Sequence, residues 1–461
     1  MDGIKRKPEQ KKNKPPVNEY FHRLAGYVRV VRYIVLFAFV AVILGGITLF
    51  RDDITIQNIS HLLRYIDIQT ASDTGLDGAA IYIDGSPDMA VGYYKGEVVL
   101  VKTSGVELYD FSGSKTFTYS FDKSMLYQNP VILTSDKYIL SYDLSGNKFA
   151  LFNSFSNVYL SDKTEALIYG ACINNDGSFA VVSTASGYRS VVSVYSNAFK
   201  KLFSWSSKDK YVMDISLHEK DGLLATASFT ASQGDYLTVI NVFDVTKEET
   251  MSQVELNGCV PVDVTWVDDR LVVITDKEML IYDRYLNRHT SFDFGGRSLG
   301  SFTVQGGHIV MALGSLSIDS STYLYIYNTL GKLVYTEVLS EDLLDVASGS
   351  ECAYLLSRQG LSKVKYDERE SVQLAYDAQM GADKIIHASN DRVIVVSANS
   401  AEVHGENMNI AAPPEQEQAT QEQTTDVPVI AAITGQSAEQ IETQQTQEET
   451  EEITIPTEES Q

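Results

Sequence analysis

Seven histidines are the first residues to weigh for chemistry: His22, His61, His218, His289, His308, His387 and His404. None lies three or four residues from another, so no single turn could present two imidazoles to one metal ion. The three cysteines, Cys172, Cys259 and Cys352, are equally scattered, in or beside the apolar runs GACIN, NGCVPV and ECAYLL. They form no metal-ligand pair and no disulfide framework, and read as small buried hydrophobes, with one disulfide among them left open. There is no Gly-x-Ser-x-Gly elbow, phosphate loop or dinucleotide fingerprint. GGRSLG, Gly295 to Gly300, has the glycines of a phosphate cradle but leads into another strand instead of a helix. Local motifs therefore predict no catalytic residue, no cofactor and no metal. Carboxylates that converge from distant parts of the chain, as in glycosidases, would leave no such motif.

Recognition chemistry has a better signal. Three long polar stretches interrupt the apolar runs: TASGYRS (Thr184 to Ser190), SFTASQGDY (Ser228 to Tyr236) and LGSLSIDSST (Leu313 to Thr322). They read as loops, and loops carry binding residues more often than strands do. Tyr188, Arg189, Phe229 and Tyr236 combine aromatic anchors with a guanidinium, the residue types enriched at binding hot spots. Asp235 and Asp319 add charge beside them. These six are the candidate partner-binding residues.

The elements that must position them repeat. Tight turn signals occur at Gly96, Asp136, Gly177, Gly222, Asp269, Gly307, Ser350 and Asp391, each followed by an apolar strand such as EVVLV, FAVVS or RVIVV. The mean interval is about 42 residues, the length of a four-stranded propeller blade. A second marker, a strand ending in an aromatic and a polar turn, recurs at Tyr109, Phe152, Tyr195, Phe243, Tyr282, Tyr327 and Tyr366, with a degenerate copy at Val403. Its interval is the same. A four-stranded sheet cannot cover both its faces alone, but packing blades around an axis buries them. Either marker gives an eight-bladed β-propeller over residues 79–404, with seven blades as the alternative. The last repeat lacks an outer strand. AAIYIDG, Ala79 to Gly85, is the nearest segment able to supply it; ITIQ and YIDIQ are others.

Charge divides the rest. The net charge is −24, but residues 1–32 hold nine Lys or Arg against three acids. Residues 33–50, YIVLFAFVAVILGGITLF, carry no charged side chain, and eighteen helical residues would span about 27 Å. This predicts a transmembrane signal anchor in contact with membrane lipid, with a cytoplasmic N-terminus and an extracytoplasmic propeller. Residues 51–78 read as a juxtamembrane linker. Residues 405–461 hold thirteen acids and no Lys or Arg, and read as a disordered Gln/Thr/Glu-rich tail. The acidity of the exposed side predicts no nucleic-acid partner.

The layout of basic N-terminus, single anchor and degenerate propeller resembles uncharacterised membrane-anchored propeller proteins of Gram-positive bacteria, similar in outline to the WD40-like and quinoprotein-like superfamily. The resemblance implies a fold and a membrane address but no site. The Gly-His and Trp-Asp signatures of WD40 repeats are missing, Trp205 and Trp266 stand isolated, and the quinoprotein blade signature is absent. The expectation is a non-enzymatic binding or scaffold module for a protein or cell-envelope partner. The alternatives are a carbohydrate-active hydrolase or lyase with central carboxylates, and a transmembrane sensor.

Overall fold

Each repeat of about 42 residues folds as one antiparallel sheet of four strands, and eight such sheets are present among the described residues. The computed structural model describes residues 27, 28, 31–41 and 80–405, apart from 84–88, 162–165, 233, 248, 316–320, 375, 377–380 and 389–391. All of them belong to one compact unit, Met1–Ala411. In the first blade, β2 (Met89–Tyr94), β3 (Glu97–Lys102), β4 (Gly105–Asp110) and β5 (Lys115–Ser120) pair in chain order from the axis outward. Six further blades repeat this order.

The eighth blade closes the ring. Its inner three strands are β30 (Ala382–Ala388), β31 (Arg392–Ser397) and β32 (Ser400–Gly405), and its outer strand is β1 (Ile81–Tyr82) from the other end of the domain. Ile81 pairs with Ala401 and Tyr82 with Ser400, and the Ile83 N–H extends the contact by donating to the Asn399 carbonyl at 2.7 Å. AAIYIDG is thus the closing segment, and the blade number is eight.

Burial follows blade position. In the middle strands both sheet faces are covered, so consecutive residues are all buried. Val98 and Leu100 pack towards the eighth blade, while Val99 and Val101 pack towards the second. Outer strands alternate, as in β13 (Lys201–Ser207), because one side meets solvent. Both sequence markers have a physical cause. The first marks the turn between inner and second strands, where Gly177 (φ +87°) and Asp268 (φ +51°) adopt the left-handed conformation such turns need. The second marks a bulge and a capped turn. Pairing of third and outer strands shifts register at or beside Tyr109, Phe152, Tyr195, Phe243, Tyr282 and Tyr327. The next residue accepts turn N–H groups: Asp110 from Ser112 and Ser114, Asp283 from Tyr285 and Asn287, Asn328 from Leu330 and Lys332.

The membrane expectation is overturned. Residues 31–41 form a helix of eleven residues, about 16 Å long against a hydrocarbon core of about 30 Å. Among the described residues no helix is long and apolar enough to cross a membrane. The single-pass cell-membrane address, and the orientation inferred from it, therefore do not hold. Residues 42–50, the linker over 51–78 and the tail from 406 onward lie outside the described residues. No disulfide joins the three cysteines; Cys259 and Cys352 are buried and Cys172 half-buried.

Candidate functional site

In a ring of this topology the hairpins between second and third strands share one face with the blade-to-blade links. We call it the loop face; the other hairpins form the turn face. Five of the six candidate residues lie on the loop face of the third and fourth blades, and Asp319 is outside the described residues.

Two of the three stretches expected to be loops are strand extensions. In the third blade β11 (Phe179–Ala185) and β12 (Tyr188–Tyr195) leave only Ser186 and Gly187 between them. In the fourth, β15 (Leu223–Ser232) and β16 (Asp235–Asp244) run ten residues each, with Ser232 opposite Asp235. Such an arm is stiff, because every residue from Leu223 to Ser232 is held in the ladder.

The arm gathers the aromatics. Tyr211, in β14 (Tyr211–Leu217), lies directly opposite Phe229, and the Phe229 and Tyr236 rings are 5.5 Å apart. The Arg189 guanidinium sits 5.1 Å from the Tyr211 ring centre, and the Lys208 ammonium 5.9 Å from that of Tyr188. The Ser190 hydroxyl accepts the Val212 N–H at 2.9 Å, and the Thr230 hydroxyl donates to the Asp209 carbonyl at 3.1 Å. These two bonds clamp the third blade to the fourth and the arm to the link. The result is a crescent from Tyr188 through Arg189, Tyr211 and Phe229 to Tyr236.

Three apolar residues absent from the sequence reading continue it. Inner strands carry a bulge near their start, which leaves Tyr169, Met213 and Val262 unpaired in the third, fourth and fifth blades. All three are exposed large hydrophobics, with Met213 half open to solvent at 51%. Their clustering in consecutive blades on one face distinguishes them from the scattered exposed apolar residues that any surface carries.

Behind the bulges of the fourth and seventh blades the next side chain, Asp214 or Asp345, reaches the following blade. Asp214 Oδ2 accepts the Val264 N–H (2.8 Å), the Ser216 hydroxyl accepts the Trp266 N–H (3.0 Å), and Asp345 Oδ2 accepts the Ile385 N–H (2.9 Å). An inner strand has no ladder partner on its axial side, so these bonds satisfy N–H groups otherwise left bare. Asp263, in β18 (Pro261–Val267), stands at the same position as Asp214 one blade on, and its Oδ2 accepts the Thr265 hydroxyl at 2.9 Å. Burial pushes the Asp214 carboxyl above the ordinary range, and the neighbouring Asp263 pushes it further. Burial raises Asp263 as well, against the opposing Thr265 bond.

One cluster has a metal-like donor set. His218, Asp221 and Asp269 bring ligand atoms within 4.8 Å of one another on the turn face. Its chemistry opposes a cation. His218 Nδ1 accepts the Lys220 and Asp221 N–H groups, and its Nε2 faces Asp269 at 3.5 Å. The Arg284 guanidinium already bridges Asp221 (2.8 Å) and Asp269 (3.0 Å). This is an ion cluster joining the fourth and fifth blades. Adding 1 mM Zn2+ or Ca2+ should therefore leave the melting temperature within about 1 °C; a rise of about 3 °C or more would show that a cation displaces Arg284.

The architecture defines a class: an all-β, eight-bladed propeller with a WD40-like fold. Many solved structures are similar to it, and two of them show the extent of the likeness. The computationally designed Ika8 protein has a TM-score of 0.52 at 12% identity, covering 72% of this chain and 97% of that one. The C-terminal WD40 domain of Sif2 has a TM-score of 0.52 at 11% identity, covering 71% and 97%. No curated protein matches the chain. Residues 84–404 match the family described as "Family of unknown function (DUF5711)", and the chain belongs to that family.

Proposed function

We propose that this protein is a non-enzymatic interaction scaffold that captures a protein partner on the loop face of its third to fifth blades. The observation that carries the reading is the pre-built crescent. Aromatic and cationic side chains are held on paired strands, so little conformational entropy is lost when a partner docks. Replacing Tyr188, Arg189 and Tyr236 together by Ala should reduce co-purification of the partner by about tenfold or more. The melting temperature should stay within about 2 °C, since all three side chains are exposed. Full capture by that variant would remove this face from the account.

A second reading has one observation in its favour. Asp214 and Asp263 are inner-strand carboxylates at matching positions of neighbouring blades, both raised above the ordinary range by burial, as the acid of a carbohydrate-active hydrolase or lyase would be. The scaffold reading gives Asp214 a structural role through Val264. The two readings separate on Asp214→Asn: the hydrolase loses turnover, whereas the scaffold keeps partner capture.

A further inference from the structure

We propose that the partner segment recognised by the crescent is acidic: an extended peptide whose carboxylates meet Arg189 and Lys208 while its apolar side chains cover Tyr211, Phe229 and Met213. The inference rests on the scaffold reading and adds the chemistry of the occupant.

Charge complementarity carries it. The chain has a net charge of −24, and several of its cations are engaged by its own carboxylates: Lys102 and Lys115 with Glu107, Lys247 with Asp244, Arg284 with Asp221 and Asp269. Arg189 and Lys208 differ. Both are exposed, both lie over tyrosine rings, and among the described residues neither has a carboxylate within 4 Å. Of the nearest acids in the chain, Asp209 is spent on Lys210 at 3.5 Å and Asp235 sits at the tip of the arm. A guanidinium fixed over a ring keeps its outer N–H groups pointing away from that ring, ready for a bidentate carboxylate. The stacking also lowers the entropy cost of holding the charge in place.

The apolar part of the occupant follows from the bulges. Tyr169, Met213 and Val262 lie exposed at the bulges near the start of successive inner strands, on the same loop face as the cations, and carry no charge of their own. A purely anionic polymer would leave these side chains uncovered, and a neutral glycan would leave Arg189 and Lys208 unpaired. A peptide alternating acidic and apolar residues satisfies both, with successive side chains pointing to opposite sides as in any extended segment.

The test uses the full chain and fluorescein-labelled decapeptides alternating Leu with Glu, Gln or Lys, with a chito-oligosaccharide as a neutral probe. The Glu peptide should bind about tenfold or more tightly than the Gln peptide, and the Lys peptide should not bind. Its affinity should fall several-fold between about 50 and 300 mM NaCl, as the exposed cations are screened. Arg189→Ala with Lys208→Ala should abolish the preference for Glu over Gln, and Arg189→Lys should restore part of it. Equal affinity for the Glu and Gln peptides, tighter binding of the Lys peptide or the glycan, or no peptide binding would overturn the proposal. The scaffold reading fails on a different result, namely partner capture unaffected by the triple Ala variant.

Discussion

Ile81→Ala is expected to destabilise the ring by about 2–4 kcal/mol, while Tyr82→Ala stays within about 0.5 kcal/mol. The two residues are adjacent and form the whole of β1, yet they face opposite ways. Ile81 is 2% exposed, packed with Val91, Val98, Leu100 and Ile394, whereas Tyr82 is 84% exposed. The Ile81 cavity would open where the eighth blade meets the first, which is also where the ends of the domain are joined. The contrast is read from denaturation midpoints of the two variants at unchanged slope. Equal effects at Ile81 and Tyr82 would mean that the closing strand pairs in another register, because a one-residue slip exchanges its faces.

Asp214→Asn is expected to stabilise the protein at pH 8 by about 1–3 kcal/mol and to leave stability at pH 4 unchanged. The folded carboxyl is raised above its unfolded value by burial and by Asp263. At low pH the group is protonated in both states and carries no penalty. As pH rises past about 4 the unfolded chain ionises first, so the wild-type protein loses stability until the folded group ionises too. The carboxamide removes that loss, and its oxygen can still accept the Val264 N–H. Melting temperatures of both proteins between pH 4 and 8 give the comparison; parallel curves would contradict the assignment of the raised carboxyl to Asp214. Asp263→Asn tests the same coupling from the other side, since it should lower the Asp214 pKa and shrink the pH dependence.

Much of the architecture was legible because its signals are local. An aromatic followed by Asp, Asn or Ser marks a bulge and a capped turn, and both are made within a few residues of Tyr109, Phe243 or Tyr282. Ring closure was legible for a different reason: the eighth repeat ran out of strands before Gly405, and the alternating AAIYIDG was available at the other end.

The site was only partly legible. Polar SFTASQGDY has the composition of a loop, but cross-strand pairing keeps it extended, so the arm follows from its partner strand more than from its own residues. Tyr169, Met213 and Val262 escaped notice because a bulge is a property of pairing. The segments MDIS, VDVT and LDVA, each with an apolar residue before an Asp, were its visible trace at Asp214, Asp263 and Asp345. Lys208 and Tyr188 are twenty residues apart and meet only once β12 pairs with β13, and Asp214 and Val264, fifty apart, meet only once neighbouring blades pack. The apolar run at 33–50 misled in the opposite direction, since composition alone suggested a continuous span that the eleven-residue helix at 31–41 does not provide.

The central claim is that the loop face of the third to fifth blades is where a partner protein docks. Its most direct test places a photoreactive phenylalanine analogue at Tyr236 on that face, or at Tyr285 on the turn face, in cells that make the full chain. Both side chains are exposed, so the positions differ in face and not in reach. A discrete protein adduct from position 236 and none from position 285 is the predicted result. An adduct from position 285 alone, or none from position 236, would contradict it.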